Sequence, residues 1–346
     1  IDPSTEQLNR ARERLRALLG DREGTLFAYL SEPNITRPHV VVSCAPHPAN
    51  IYIAKKAMKC GISYCDLGGS HDVAAIQKCY ANLANSALVS GCGASPGISN
   101  ILAAHLAREY KCDRLEVYCG GLPHPRPDPH ENPLLYKCTW SPEGLAHEYA
   151  GKALVIRGGK QESRCRKVQA LSKIVPFELR NGDQIERFES AWTSNNSFHS
   201  AEYLRELGVN WLDYRTLRYE GHWAALDKLV SRKEPDYEKR LVALFRGRSE
   251  LVFDRDRDSD RMMLMVRGQR GARCAEAHEY RFDVFKDAIT KFSAMELMTS
   301  WGIAIVAHHM ASGRGQPTGF ATPEMFVDAG WFISELNRRL TLYNMH

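Results

Sequence analysis

The chain has no run of about 18 apolar residues, no low-complexity tract, no internal repeat and no Cys-x-x-Cys pair. The first absence leaves no candidate transmembrane helix. The next two exclude a disordered or solenoid architecture, and the last removes the commonest zinc and thiol-redox signatures. Charge of one sign is scarce too. The formal net charge is +5, and Lys and Arg are interleaved with Asp and Glu, so no footprint for nucleic acid or a membrane surface is read. Asp254-Arg255-Asp256-Arg257-Asp258 is a mixed-charge loop. It fails as a calcium loop because Ser259 stands where Gly is needed and Met265 where Glu is needed. His308 and His309 are adjacent and cannot share one helical face, so no metal site is expected. None of the ten cysteines lies at a zinc-like distance from paired histidines, and no leader-like segment is read; reduced thiols in the cytoplasm are expected.

What is present is an ordinary globular composition, 44% hydrophobic and 25% charged. At 346 residues the chain exceeds one usual core, which predicts two domains. The first hundred residues alternate helix and strand. Asp2-Pro3, or Ser4 with Gln7 one turn later, opens a helix carried by Leu8, Ala11, Leu15, Leu18 and Leu19. Val40–Cys44, Ile62–Cys65 and Ala87–Val89 are short, apolar and partly β-branched, as buried parallel strands are. Ile51, Ala54, Ala57 and Met58 give one intervening helical face, and residues 72–85 a second helix. This rhythm predicts an α/β fold with a Rossmann-type doubly wound parallel sheet. Such a sheet opens with a strand, a glycine-rich turn and a helix, so a first βα unit of roughly 30 residues is expected to be missing ahead of Ile1.

From about 114 the pattern changes. Strands are expected at 153–157, 186–193, 214–219, 251–254, 261–267 and 278–284, with few helices between, and helices at 294–311 and 323–340. That predicts a second, mixed α+β domain. The expected division is 1–98 for dinucleotide binding, 99–303 for the substrate and catalytic domain, and 304–346 for C-terminal helices packing back on the first domain.

Three stretches narrow the class: Gly91-Cys92-Gly93-Ala94-Ser95-Pro96-Gly97-Ile98-Ser99-Asn100; Cys119-Gly120-Gly121-Leu122-Pro123 with Asn132-Pro133-Leu134 and Trp140-Ser141-Pro142-Glu143-Gly144; and Thr216-Leu217-Arg218-Tyr219-Glu220-Gly221-His222. In this order they resemble the saccharopine dehydrogenase-like superfamily, and within it the lysine 6-dehydrogenases. With the expected opening unit the chain reaches roughly 380 residues, which suits the compact lysine 6-dehydrogenases rather than the longer saccharopine reductases. Ser95 points the same way, because the reductases carry an Asp there. Asn195-Asn196 departs from the Gly-Gly that lysine 6-dehydrogenases tend to have, close to the expected pocket.

The resemblance implies oxidation of the ε-amino carbon of a lysine-like amino acid by NAD, with NADP left open, followed by hydrolysis to an aldehyde that cyclises. It also implies a homo-oligomer whose partner is a small amino acid. Such chemistry needs an anchor for the α-carboxylate, a proton acceptor and a cofactor mouth. Arg218 is the expected anchor, since a guanidinium matches a carboxylate with two parallel hydrogen bonds. Thr193, Asn195 and Tyr136 would complete the pocket. His222 leads as proton acceptor because a free imidazole titrates near neutrality; Glu143 is a second candidate, and Cys119 matches a cysteine near the active site of saccharopine reductases. Loops at the ends of parallel strands face the ligand, which points to Ala45, Pro46, Asp66, Gly68, Gly69, Gly93, Pro96 and Gly97 for the cofactor. Asp2 sits beside the position that usually meets the adenine ribose. Two alternatives stay open: an enzyme making or cleaving a secondary amine, such as saccharopine or a polyamine precursor, and a binding or scaffold protein of this fold without its cofactor.

Overall fold

A computed structural model describes residues 4–6, 8–11, 13 and 38–342, apart from 69–70, 82–84, 160–161, 195–197, 272–276 and 314–317. Asp2, Gly69, Asn195 and most of the expected opening helix lie outside the described residues.

The first sheet has four strands in the order β1 (Val40–Ser43), β2 (Ser63–Asp66), β3 (Ala87–Val89) and β12 (Gly319–Ala321). All its pairings are parallel. Helices α1 (His47–Lys59) and α2 (His71–Ala81) make the crossovers, as parallel pairing requires. α1 stops at Cys60, and Gly61 follows at φ 67°, the left-handed geometry that ends many helices. The parallel α/β unit is as expected. β12 was not: Gly319-Phe320-Ala321 opens on Gly and has no β-branched residue, and its place beside β3 is set by tertiary contacts.

The second sheet is mixed, in the order β11 (Ala277–Phe285), β10 (Asp260–Gln269), β4 (Arg114–Pro123), β9 (Trp211–Tyr219), β5 (Lys152–Gly159) and β6 (Glu162–Gln169). The hairpin β7 (Ile174–Asn181) and β8 (Gln184–Trp192) joins through β8 to the far half of β9. β4 and β9 are parallel, with Cys119 opposite Thr216; the other pairings are antiparallel. Residues 251–254 do not form a strand. Ser249–Leu251 is a 3-10 turn, and Val252 makes only an isolated bridge to Cys138. Helices are also more numerous than expected: α3 (Ile98–Glu109), α4 (Pro142–Ala150), α5 (Phe198–Glu206), α6 (His222–Leu229) and α7 (Tyr237–Gly247).

One apolar core joins the two sheets. Val89 behind the first, Leu115, Val117 and Leu264 behind the second, Ile98, Leu102 and Leu106 of α3, and Leu297 and Trp301 of α8 (Ala294–Ala311) belong to a single buried cluster. α8 begins at a capping box, in which Ser293 Oγ accepts from Glu296 N at 3.1 Å and Ser293 N donates to Glu296 Oε2 at 2.9 Å. It packs on β1, β2 and β10, and a boundary at 303 falls inside this unbroken helix. Behind it come β12, α9 (Pro323–Phe326) and α10 (Ala329–Leu342). Among the described residues no helix is long and apolar enough to cross a membrane.

Candidate functional site

Side chains two apart on a strand share a face, and on β9 that rule lines up Tyr214, Thr216 and Arg218. α4 brings its last turn to the same face. Its start is set by Ser141, whose Oγ accepts from Gly144 N at 3.1 Å, and by Pro142 in the first turn. Six and seven residues past Pro142, about 9–10.5 Å along the axis, it presents Glu148 and Tyr149. Glu148 Oε1 accepts from Thr193 Oγ1 at 3.0 Å and also from Thr216 Oγ1. The two threonine hydroxyls are themselves 2.7 Å apart.

Arg218 is 3% exposed. Its Nε donates to the Tyr149 hydroxyl at 2.7 Å and its Nη1 to the Leu217 carbonyl at 2.8 Å. The guanidinium lies over the Tyr136 ring at 4.6 Å. Among the described residues it has no carboxylate ion-pair partner. Glu148 acts on it electrostatically without pairing with it; a buried cation with no paired carboxylate is expensive to maintain, which suits it to receive an anionic group.

His222 is fully buried behind Arg218. Its Nδ1 lies 2.7 Å from the Leu134 carbonyl, which can only accept, so Nδ1 carries the proton. Nε2 therefore accepts from the Tyr149 hydroxyl at 3.2 Å. Burial, and then the neighbouring Arg218 charge, push its pKa down to about 3. The near-neutral titration on which its reading as proton acceptor rested is absent, and its lone pair is already engaged. Glu143 differs in another way. It is exposed, bonded to Ser141 and ion-paired with Arg246, and a hydrogen bond from its own backbone leads the causes that lower its pKa. It stands at the opposite end of α4 from Glu148. Cys119 is buried beside Tyr214 and Ser95; burial first, then the Glu148 charge, raise its pKa to about 12, so it is a neutral thiol.

The structure thus gathers Arg218, Tyr136, Thr193, His222 and Cys119, and leaves Glu143 outside. It adds Glu148, Tyr149 and Thr216. Thr216 was legible from its two-residue spacing to Arg218; nothing local marked Glu148, whose place depends on how α4 packs.

The loops after β2, β3 and β12 emerge at one edge of the parallel sheet, and Gly68, Ser90, Gly91, Pro96, Thr322 and Glu324 line a crevice there. Asp66 is fully buried and holds two of these loops together. Its carboxylate accepts from Gly68 N at 2.9 Å, Ser90 Oγ at 2.8 Å, Gln77 Nε2 at 2.7 Å and Tyr64 OH at 3.0 Å. With its oxygens so used, it shapes the mouth rather than facing into it. Gly93 and Gly97 pinch the next loop shut: Gly97 has φ 131°, and a Cβ there would overlap the Gly93 carbonyl. Gly302 lets α8 lie against that same carbonyl. Ala45 and Pro46 precede α1 and do not line the crevice.

The sequence profile of the saccharopine dehydrogenase C-terminal domain matches residues 93–342. The chain belongs to the saccharopine dehydrogenase family. Among curated members, it is 25% identical over 198 residues to the mitochondrial alpha-aminoadipic semialdehyde synthase of Mus musculus, covering 55% of this chain and 20% of that protein. It is 29% identical over 143 residues to the NADP(+), L-glutamate-forming saccharopine dehydrogenase of Schizosaccharomyces pombe, covering 40% of this chain and 30% of that protein. The match thus spans about a fifth to a third of these relatives' length. The fold is shared with the L-Glu-forming saccharopine dehydrogenase of Saccharomyces cerevisiae, with TM-score 0.63 and 16% identity over 89% of this chain and 83% of that one. It is shared also with the homospermidine synthase of Legionella pneumophila solved with NAD, with TM-score 0.58 and 12% identity over 87% and 73%.

Proposed function

We propose that this family member is an NAD(P)-dependent oxidoreductase acting on the C–N bond of a lysine-like amino acid, and that its reaction is oxidative deamination of the ε-amine to the semialdehyde and its cyclic imine. The observation that carries the proposal is Arg218, a buried guanidinium without an ion pair among the described residues, on the same strand face as Thr216, which positions Glu148. A fixed cation and a carboxylate on one surface match an amino acid that presents a carboxylate and an amine.

The crevice suits one end of a dinucleotide. It lies at the carboxyl ends of parallel strands, Gly68 and Gly91 let a ligand approach the backbone, and Glu324 Oε2 is buried there with no partner among the described residues. Gly68, Ser90, Gly91 and Pro96 would hold the cofactor. Bound there, NAD(P) would supply a hydride acceptor for the amine-bearing carbon. The chain's own residues do the rest. Arg218 binds the carboxylate and fixes its direction, Tyr136 supports the guanidinium, and Thr193 and Thr216 aim Glu148. Glu148 takes the proton from the amine nitrogen, which leaves a carbon–nitrogen double bond; water then adds, ammonia leaves, and the aldehyde closes on the α-amine.

A second reading is favoured by the names of the relatives, which include saccharopine dehydrogenases and a homospermidine synthase: the scissile nitrogen is a secondary amine. One assay separates the two. Full-length protein is given L-lysine, saccharopine or a polyamine conjugate with NAD or NADP, and the reduced cofactor is followed by absorbance. Turnover with lysine and release of ammonia support the first reading. Turnover with saccharopine or the conjugate alone replaces it with the second, and a failure to bind either dinucleotide in calorimetry removes both.

A further inference from the structure

Glu324 is 1% exposed, and its two oxygens differ. Oε1 accepts from Ser200 Oγ at 2.5 Å and from Thr322 Oγ1 at 2.7 Å. Oε2 has no hydrogen-bond partner among the described residues, and the side chain lines the crevice. Arg108, a cation close by, spends its Nη2 on the Glu324 backbone carbonyl at 3.0 Å rather than on the carboxyl. An ionised carboxylate there would be desolvated without a counter-ion; a protonated one loses little and gains a donor at Oε2. Burial is the leading cause that raises the pKa of this group.

The crevice is also tied to the amino-acid pocket. Ser200 Oγ accepts from Asn100 Nδ2. Asn100 Oδ1 takes Gly97 N at 3.1 Å and Ser99 Oγ at 2.8 Å, and Ser99 Oγ is 2.8 Å from Ser95 Oγ. Ser95 adjoins the Cys119 thiol. One loop therefore has Pro96 in the crevice and Ser95 at the substrate strands. The part of a dinucleotide that must sit next to the substrate is its nicotinamide end.

We propose that Glu324 is a cofactor-contacting residue, donating from Oε2 to an acceptor on the nicotinamide nucleoside. The inference rests on the dinucleotide reading above and adds a residue and an orientation to it.

The test compares NADH and ADP binding by calorimetry in the full-length wild type, Glu324→Gln and Glu324→Met. Gln keeps an acceptor for Ser200 and Thr322 and a donor toward the crevice, so NADH affinity should stay within about threefold. Met removes both, and NADH should bind about tenfold more weakly while ADP, which lacks the nicotinamide end, stays within about twofold. If Glu324→Met does not fold, Glu324→Asp, which withdraws the oxygen by one methylene, takes its place in the comparison. Unchanged NADH affinity, an equal loss for NADH and ADP, or a Gln variant as weak as Met would overturn the proposal. Wild-type protein that binds ADP but not NADH overturns it too. Wild-type protein that binds neither takes the dinucleotide reading down with it.

Discussion

Arg218 and Tyr149 are joined by a 2.7 Å hydrogen bond in which guanidinium Nε donates to the phenol oxygen. The phenol donates in turn to His222 Nε2, 3.2 Å away. Arg218 is thus steered from one side by a neutral pair, and Tyr149 and His222 leave its positive charge unspent.

Arg218→Ala should lower catalytic efficiency toward the amino acid about ten- to 150-fold, the equivalent of roughly 1.5–3 kcal/mol for a lost charge-assisted contact. NADH affinity should not change. Arg218→Lys should recover only part, because an ammonium cannot reproduce the two-pronged geometry. Steady-state kinetics with a parallel NADH titration checks this, and an unchanged amino-acid KM and turnover in Arg218→Ala would remove the anchor.

Glu148→Gln should reduce turnover about 100-fold or more if it takes the amine proton, whereas Glu143→Gln should stay within about twofold because an exposed ion pair contributes little. The two carboxylates share one short helix, so each variant serves as a control for the other. Equal effects in initial-rate assays would contradict the assignment.

His222 carries a pH signature in stability rather than in rate. Its folded pKa is about 3, below the ~6.5 of a free imidazole. Between those values the unfolded chain binds a proton that the folded chain refuses, so stability is lost as pH falls through that window. Over about 1.5 units below 6.5 this residue removes about 2 kcal/mol. His222→Gln should therefore lose about 2 kcal/mol less than wild type between about pH 7 and 5, as read from urea melts. Its rate profile should keep the wild-type shape near neutrality.

Asp66→Asn should destabilise the protein by about 2–3 kcal/mol, since an amide nitrogen replaces one of the two acceptor oxygens shared by Gly68, Gln77, Ser90 and Tyr64. Dinucleotide binding should weaken along with it, because the loops that line the crevice lose their tie. Urea denaturation and NADH titration of the same preparation report both.

Much of this was legible in the residues, and the failures have physical causes. Val40-Val41-Val42 and Ala87-Leu88-Val89 read as parallel strands because short apolar, β-branched runs suit them; Ala87–Val89 is buried throughout, whereas Val42 is exposed. Arg218 stood out through its charge at a strand end and through the resemblance of its neighbours. Leu251-Val252-Phe253 misled because three apolar residues also suit a tight turn tucked under a core. β6 escaped notice since only Cys165 and Val168 interrupt its polar residues, as is common in a strand at a sheet edge. Glu148 and Glu324 carry no local mark at all. Each acquires its meaning from hydroxyls brought from distant segments: Thr193 and Thr216 in one case, Ser200 in the other.

β12 pairs with β3 only after the entire mixed sheet has intervened in the chain. During synthesis, then, β3 emerges with one flank bare and must wait for its neighbour, and closing so long a loop is entropically slow. Thr322 and Glu324 arrive on the same late segment, so the crevice is among the last features to take shape. A nascent chain therefore carries an open parallel edge until residues 319–321 have emerged, the stage at which chaperone capture or aggregation competes with folding.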